Sequence, residues 1–435
     1  MASLFGALNT AVSGLTAQSS AFGNISDNIA NSQSSGFKRT DTSFADYLST
    51  SNATTNDSGS VVARPEYQNE VQGAISASTN PLALAIEGQG FFQVSQQTGS
   101  GGNSTISATP EFSRDGDFSL NSNGYLVNGS QQVLNGWVAS AAGVLNETQQ
   151  QAIKIDQSPF SPKPTANVTL SANLPATPAA SAGPTSSQVD VYDAKGTLHI
   201  VTLGFTQGAA DNWTLALTAP DATAPALGSA DIKFGPALSG NAVPVGTLGS
   251  VTATGGGVTA SSYVAGAPAT VTFVANFGSG PQTVNLQLGA FGATTGLTQF
   301  AGTAYAPNGL SQDGVPPGNY TGVTTQSNGN VVVNYDNGQS KVVAKVPVIQ
   351  FTDANALQRQ NGQGFTATTD SGAPLAQDVA NGGSGALVAG SIEGSNVDIA
   401  TEFTKLIVAQ QAYAANSKVI TTANDMLTQT IDMKR

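Results

Sequence analysis

Both ends of this chain carry an apolar stripe at heptad spacing, and nothing between them does. Near the N-terminus Leu4, Leu8, Ala11, Leu15, Gln18, Phe22, Ile25 and Ile29 recur at alternating steps of four and three. Near the C-terminus Ile399, Phe403, Leu406, Gln410, Tyr413, Ser417, Ile420, Asn424, Leu427 and Ile431 repeat the pattern. Such spacing keeps one side of an α-helix apolar, so the sequence predicts two long helices that pair as a coiled coil. Ser395 opens an S-x-x-D with Asp398, a capping-box-like start for the second helix. Lys434 and Arg435 fall where a helix dipole favours cations. The alternative is a pair of unrelated surface helices on a β domain.

Everything between the stripes alternates with the period of strands. Residues 82–96 (LALAIEGQGFFQVSQ) form an apolar run interrupted at Gly88–Gly90. Residues 111–128 place strands around Asp-Gly and Asn-Gly turns, residues 189–205 turn at Asp193-Ala-Lys-Gly196, and residues 328–351 turn at Asp336-Asn-Gly338. These are hairpin signals. An Ala/Gly/Thr/Pro-rich stretch over 219–305 adds strands at 269–277 and 282–288. Proline-bearing segments at 158–165 and 314–320 bracket the middle of the chain. If the ends pair, the bracketed part is an insertion into a domain made by its flanks. The fold class predicted is therefore mainly β with long α-helical termini, its β-rich domains inserted one within the other. The predicted boundaries are 1–35 with 396–435 for the helical core, 36–80 with 385–395 for connecting segments, 81–157 with 318–384 for an inner β domain, and 158–317 for an outer one.

Composition removes whole classes of function. The 435 residues include only 10% charged side chains and a formal net charge of −12, with no cysteine and a single histidine. An acidic chain whose adjacent basic pairs are only Lys38-Arg39 and Lys434-Arg435 offers no patch for nucleic acid or an anionic membrane. No thiolate site exists, and one histidine supplies neither a zinc ligand set nor more than one base for a hydrolytic triad. His199 reads as a strand histidine. Asp115-Gly-Asp117 lacks the rest of a calcium loop, since Leu120 stands where its glycine belongs, and Gly88-Gln-Gly90 opens no helix over a phosphate. No cofactor, no metal and no catalytic residues are expected. No stretch is apolar for the roughly 18 residues a membrane span needs, and the first residues lack the basic and apolar regions of a cleaved signal.

From residue 1 to 37 the only ionisable side chain is Asp27. Gly6, Gly14 and Gly23 each weaken a helix by about 1 kcal/mol relative to alanine, so the pair is marginal in isolation. Small residues at Ala7, Ala11, Gly14, Ala17 and Ala21 admit close neighbours. The ends are therefore expected to be largely unfolded in a single chain and to become helical by packing against other copies. A head-to-tail contact that does not close on itself builds a helical filament or tube.

Three segments carry a resemblance. Residues 11–39 (AVSGLTAQSSAFGNISDNIANSQSSGFKR), the inner motifs IEGQGFFQV and FSRDGDFSLNSNGYLVN, and residues 390–420 (GSIEGSNVDIATEFTKLIVAQQAYAANSKVI) resemble the flagellar rod and hook axial family. The middle segments VDVYDAKGTLHIVTLGFTQGAADNW and GNYTGVTTQSNGNVVVNYDNGQ are similar to its hook members. The resemblance implies a homopolymeric building block of a curved tube that transmits torque from rod to filament. It implies partners in the distal rod protein, the hook cap and the hook-filament junction proteins. It also implies export by the flagellar type III apparatus without a cleaved signal, and an extracellular position. A distal rod protein and a secreted β-rich adhesin are the alternatives. The expected assembly residues are seam positions: Leu8, Leu15, Phe22, Ile25 and Ile29 with Phe403, Leu406, Tyr413, Ile420 and Leu427.

Overall fold

A computed structural model of the chain describes residues 2–51, 56–98, 105–140, 143–177, 184–208, 212–379, 381 and 383–433. Two long helices, α1 (Ala2–Ala30) and α3 (Ile399–Asp432), stand at the ends, and the five-residue α2 (Gly235–Ser239) lies between them. Among the described residues the other regular elements are β-strands apart from one short 3-10 turn, Ala354–Ala356. The chain divides into two compact units. The first comprises Met1–Gln157, Thr321–Asn334 and Ser340–Arg435; the second comprises Ser158–Tyr320 and Tyr335–Gln339.

In the first unit α1 and α3 run antiparallel against each other. Asn28 reaches Glu402, Phe22 meets Tyr413 edge-to-face at 6.2 Å, and Gly14 faces Asn416. Both ends are thus helical in the single chain, against the expectation that only other copies would fold them. The added support comes from a long hairpin, β1 (Thr40–Ser51) and β2 (Asn56–Tyr67), paired antiparallel from Thr40↔Tyr67. Ser13 Oγ accepts the Val61 N–H at 3.0 Å, and Asn24 Nδ2 donates to Thr42 Oγ1 at 2.8 Å. The hairpin falls inside the predicted connecting segment. Its Ser, Thr, Asn and Asp content hides the alternation that marks a strand.

Helix α3 starts one residue after Asp398, whose carboxylate accepts the Thr401 N–H at 2.9 Å. The cap is Asp398 and not Ser395, whose hydroxyl takes the Val397 N–H at 3.3 Å instead. Lys434 and Arg435 lie outside the described residues.

The main sheet of this unit orders Asn330–Tyr335, Ser340–Lys345, Gln132–Val138, Phe92–Thr98, Thr105–Ser113 and Gly364–Thr366 as neighbours. The hairpin around Asp336–Gly338 forms as the turn residues predict, with Gly338 at φ +77°. The Asp115-Gly116 turn does not join two paired strands: Thr105–Ser113 pairs with Phe92–Thr98, and Ser119–Leu120 pairs with Leu126–Val127. Gly116 is instead wedged under Leu84, where a Cβ would lie 1.7 Å from the Leu84 carbonyl oxygen. An aromatic cluster fills the core here. Phe112 stacks edge-on to Phe351 at 4.8 Å and Phe91 to Phe365 at 5.6 Å, a geometry that the ring quadrupole favours.

The second unit is two sheets on one core. A five-stranded antiparallel sheet runs Thr185–Tyr192, Leu198–Gln207, Asn212–Thr218, Ala226–Phe234 and Leu248–Gly256. The other sheet orders Thr259–Ala260, Pro268–Asn276, Pro281–Ala290, Asn167–Asn173 and Leu297–Thr298, with Ala306–Gln312 also paired to Asn167–Asn173. Period-2 alternation sends Val201, Leu203 and Phe205 inward from the first sheet, and Val271, Phe273, Leu286 and Leu288 inward from the second. Alanines at 230, 269 and 275 are part of this core, which is why so Ala-rich a stretch still folds.

Candidate functional site: where the two ends of the chain meet

The residues on which the terminal resemblance rests converge in space. After α1 the chain turns through Gly36, at φ +67°, a conformation that favours glycine. A Cβ there would lie 2.4 Å from the Asp115 nitrogen. Gly36 N–H donates to the Glu393 carbonyl oxygen at 2.8 Å, as does Ser35 Oγ at 3.2 Å. Asn396 closes the next gap: its Oδ1 accepts the Arg39 N–H at 2.7 Å, and its Nδ2 donates to the Gln68 and Val71 carbonyls at 3.0 Å each. The segment before α3 is therefore sewn to the segment after α1 by main-chain and amide bonds, which fixes both helix roots.

Beneath this seam lies a buried ionic cluster. Glu393 takes Lys38 Nζ at 2.5 Å on one oxygen and Arg114 Nη1 at 2.9 Å on the other, with all three side chains shielded from solvent. Burial, reinforced by the neighbouring Arg114 charge, lowers the Lys38 ammonium from its ordinary 10.5 to about 8, although Glu393 opposes the shift. A second bracket sits one turn into the helices. Buried Asn28 bonds both the N–H and the carbonyl of Thr40, and donates to Glu402 at 3.1 Å. Lys405 Nζ then joins Glu402, at 2.7 Å, to Asp41, at 2.5 Å. Burial alone would lower that ammonium, but the bonds to Asp41 and Glu402 prevail and raise it.

Sequence reasoning missed Asn28, Lys38, Arg114, Glu393, Asn396 and Glu402. Lys38 is adjacent to Arg39 and the two read as a small basic pair, yet the Lys38 side chain is fully buried and Arg39 is partly exposed. The sequence offers little signal for the pairing: Glu393 stands alone in GSIEG, but Lys38 is followed by Arg39 and reads as half of a basic pair.

The seam residues fall into three groups. Ile25 is buried; Leu8, Leu15, Phe22, Ile29, Leu406, Ile420 and Leu427 are half-buried. Phe403 and Tyr413 are exposed, at 49% and 43%. On the covered side of α3, Leu406, Ile420 and Leu427 keep their predicted places and the alternate seam positions shift by one residue. Glu402, Ala409 and Ala423 are buried and Asn416 half-buried, in place of Phe403, Gln410, Ser417 and Asn424. On α1 the buried positions are Ala11, Ala17, Ala21, Ile25 and Asn28. Small residues let the two backbones approach, and Phe403, Ile407 and Val408 are left outside. Phe403 thus continues a bare ridge with Ile399, Ile407 and Val408, the last two 54% and 61% exposed. Beside the ridge, a groove of about 390 Å³ opens between Ala21, Ile25, Phe44, Val408 and Ala409.

His199 bonds Asp221 through Nδ1 and stacks on Phe277 at 3.9 Å, inside the second unit. Among the described residues no group of three His, Asp or Glu side chains is placed to hold a metal ion, and no helix is long and apolar enough to cross a membrane.

Four family descriptions match successive parts of the chain. They are the flagella basal body rod protein over residues 8–38, the flagellar hook protein FlgE/F/G D1 domain over 85–173, the flagellar basal body protein FlaE D2 domain over 154–315, and the flagellar basal body rod FlgEFG protein C-terminal region over 388–433. The flagellar hook protein FlgE of Brucella suis is 30% identical over 438 residues, covering 100% of both chains. Those of Salmonella typhimurium and Escherichia coli K12 are 29% and 28% identical, each covering 98% of this chain and at least 99% of the relative. Among solved structures, the Helicobacter pylori flagellar hook protein FlgE2 aligns over 72% of this chain and 98% of its own, with a TM-score of 0.49 at 13% identity. With matches in order from one end to the other and a full-length relative at 30% identity, the chain belongs to the flagellar hook protein family.

Proposed function

We propose that this protein is the structural subunit of a bacterial flagellar hook, polymerising through its terminal helices into a curved tube that acts as a universal joint. The observation that carries the reading is the uncovered apolar ridge of α3: Phe403, Ile407 and Val408 remain open although both helices are already formed and paired. Large apolar side chains in a contiguous exposed row mark a surface that another protein covers. A homopolymer supplies that cover from the same chain, and an open head-to-tail contact extends it without limit. Full-length likeness to hook proteins favours this over a rod subunit, and paired helices at both ends favour it over an adhesin.

On this reading the helices line the tube and the β units face outward, where polar surfaces with few charges slide past their neighbours as the tube bends. Contacts with the distal rod protein, the hook cap and the hook-filament junction proteins belong to the two ends of the polymer. Delivery through the flagellar type III apparatus, to a position outside the cell, is part of the same proposal. The seam side chains Leu8, Leu15, Phe22, Ile29, Leu406, Tyr413, Ile420 and Leu427 then serve both the pairing within a subunit and the packing between subunits.

The test separates folding from assembly. Phe403→Asp is expected to stop polymer growth, scored by electron microscopy and sedimentation, while circular dichroism of the monomer stays unchanged. Leu427→Asp, on a half-covered position, is expected to stop growth and also to loosen the helix pair. Tubes of ordinary length from Phe403→Asp would refute the assignment of that ridge to assembly.

A further inference from the structure

Glu393 gathers donors from three stretches far apart in sequence: Lys38 Nζ at 2.5 Å, the Gly73 N–H at 2.8 Å and Arg114 Nη1 at 2.9 Å. Other donors of the two cations go to carbonyl oxygens, Lys38 to Val71 and Arg114 to Ile86 and Gly88. Arg114 Nε has no hydrogen-bond partner, and its guanidinium lies 5.3 Å from the centre of the Phe91 ring. Carbonyls and rings are dipoles and quadrupoles, not counter-ions. Without the Glu393 carboxylate, closing this core would bury two positive charges with no negative one. Removing one partner of a buried pair costs far more than the pair itself contributes, because the survivor remains desolvated and uncompensated.

We propose that Glu393 is a latch, and that consolidation of the first unit waits for the C-terminal segment to deliver it. Lys38 and Arg114 precede Glu393 by 355 and 279 residues, and a chain is made N-terminus first. Until residue 393 arrives, the strands around Phe91 and Phe112 have a dehydration barrier at their centre. Arrival does two things together: the carboxylate offsets one of the two positive charges while hydrogen-bonding both cations, and the Glu393 carbonyl takes Gly36 N–H and Ser35 Oγ, seating the root of α1 beside that of α3. The core of the second unit draws only on residues between 168 and 310 and includes none of the three charged side chains, so it is free to form earlier. The latch is a property of the fold and does not depend on the hook assignment.

The test uses the full-length chain and pulsed hydrogen–deuterium exchange read by mass spectrometry. In wild-type refolding, amides of 84–94 and 112–118 are expected to gain protection no earlier than those of 391–396, while 198–207 and 281–290 are protected first. Glu393→Gln keeps the shape and the acceptor for Gly73 but removes the charge. It is expected to lower protection in 84–94 and 112–118 at least tenfold and to leave 198–207 and 281–290 unchanged. Adding Lys38→Met to Glu393→Gln removes one uncompensated cation and is expected to restore part of the loss. Wild-type protection of 84–94 ahead of 391–396 would overturn the latch. So would a Glu393→Gln chain protected like wild type, an equal loss in both units, or no recovery with Lys38→Met. Should Glu393→Gln fail to fold, the wild-type order of protection alone decides.

Discussion

Lys38 is the residue at which burial and charge conflict most directly, and pH exposes the conflict. Its folded pKa is held at about 8, against an ordinary 10.5, chiefly by burial and then by Arg114. Between those two values the folded chain binds fewer protons than the unfolded one, so this group makes stability rise with pH across the window. At neutral pH the charged ammonium is a net cost, bounded by about 1.4 kcal/mol per pKa unit, or on the order of 3 kcal/mol. Lys38→Met has no such titration. The wild type is therefore expected to gain stability on Lys38→Met between pH 8 and pH 10. The two tryptophans make this measurable by unit: Trp137 is buried in the first and Trp213 in the second. Urea unfolding in a Trp213→Phe background reports the first unit alone, and a pH-independent gap between the two proteins would rule the account out. None of this was legible in the sequence. Whether a lone lysine is solvated or buried depends on a carboxylate that only the fold brings near, and Lys38-Arg39 read locally is simply a basic pair.

At the scale of elements, what the sequence reveals depends on how local the cause is. The hairpins at Asp193–Gly196 and Asp336–Gly338 were legible because their turn glycines, at φ +80° and +77°, set the pairing by themselves. Both long helices were legible from their spacing. Which side of α3 faces α1 was legible only in part, because the heptad was drawn through the largest apolar residues, whereas close approach of two helices selects small ones. The β1–β2 hairpin was not legible either; Ser13 and Asn24 of α1 hydrogen-bond it at Val61 and Thr42. If small residues define the helix contact, enlarging one must separate the pair. Ala409, 5% exposed, is the sharpest test. Ala409→Leu adds volume to a packed contact, where overpacking typically costs about 1–3 kcal/mol. It is expected to reduce helical circular dichroism at 222 nm on mild heating, before the β signal changes. The same substitution at exposed Ala414 should be silent. Equal behaviour of the two variants would mean that the helices are not paired through Ala409.

For the whole molecule the governing quantity is charge, fifteen basic against twenty-seven acidic side chains. Two of the basic groups, Lys38 and Arg114, are buried, so the surface is still short of cations. Copies of such a chain repel each other, while the proposed contact between them is apolar and carries almost no charge of its own. Salt therefore acts on the repulsion without weakening the attraction. Raising ionic strength from 0.01 M to 0.15 M shortens the screening length from about 30 Å to about 8 Å. Sulfate further strengthens apolar burial through its exclusion from protein surfaces. The concentration needed for assembly should accordingly fall several-fold as NaCl rises to 0.15 M, and further when ammonium sulfate replaces NaCl at equal ionic strength. Light scattering with electron microscopy of the scattering species measures both steps. If NaCl instead dissolves the assemblies, copies are held by ion pairs between subunits, and the bare ridge of α3 is not the main contact.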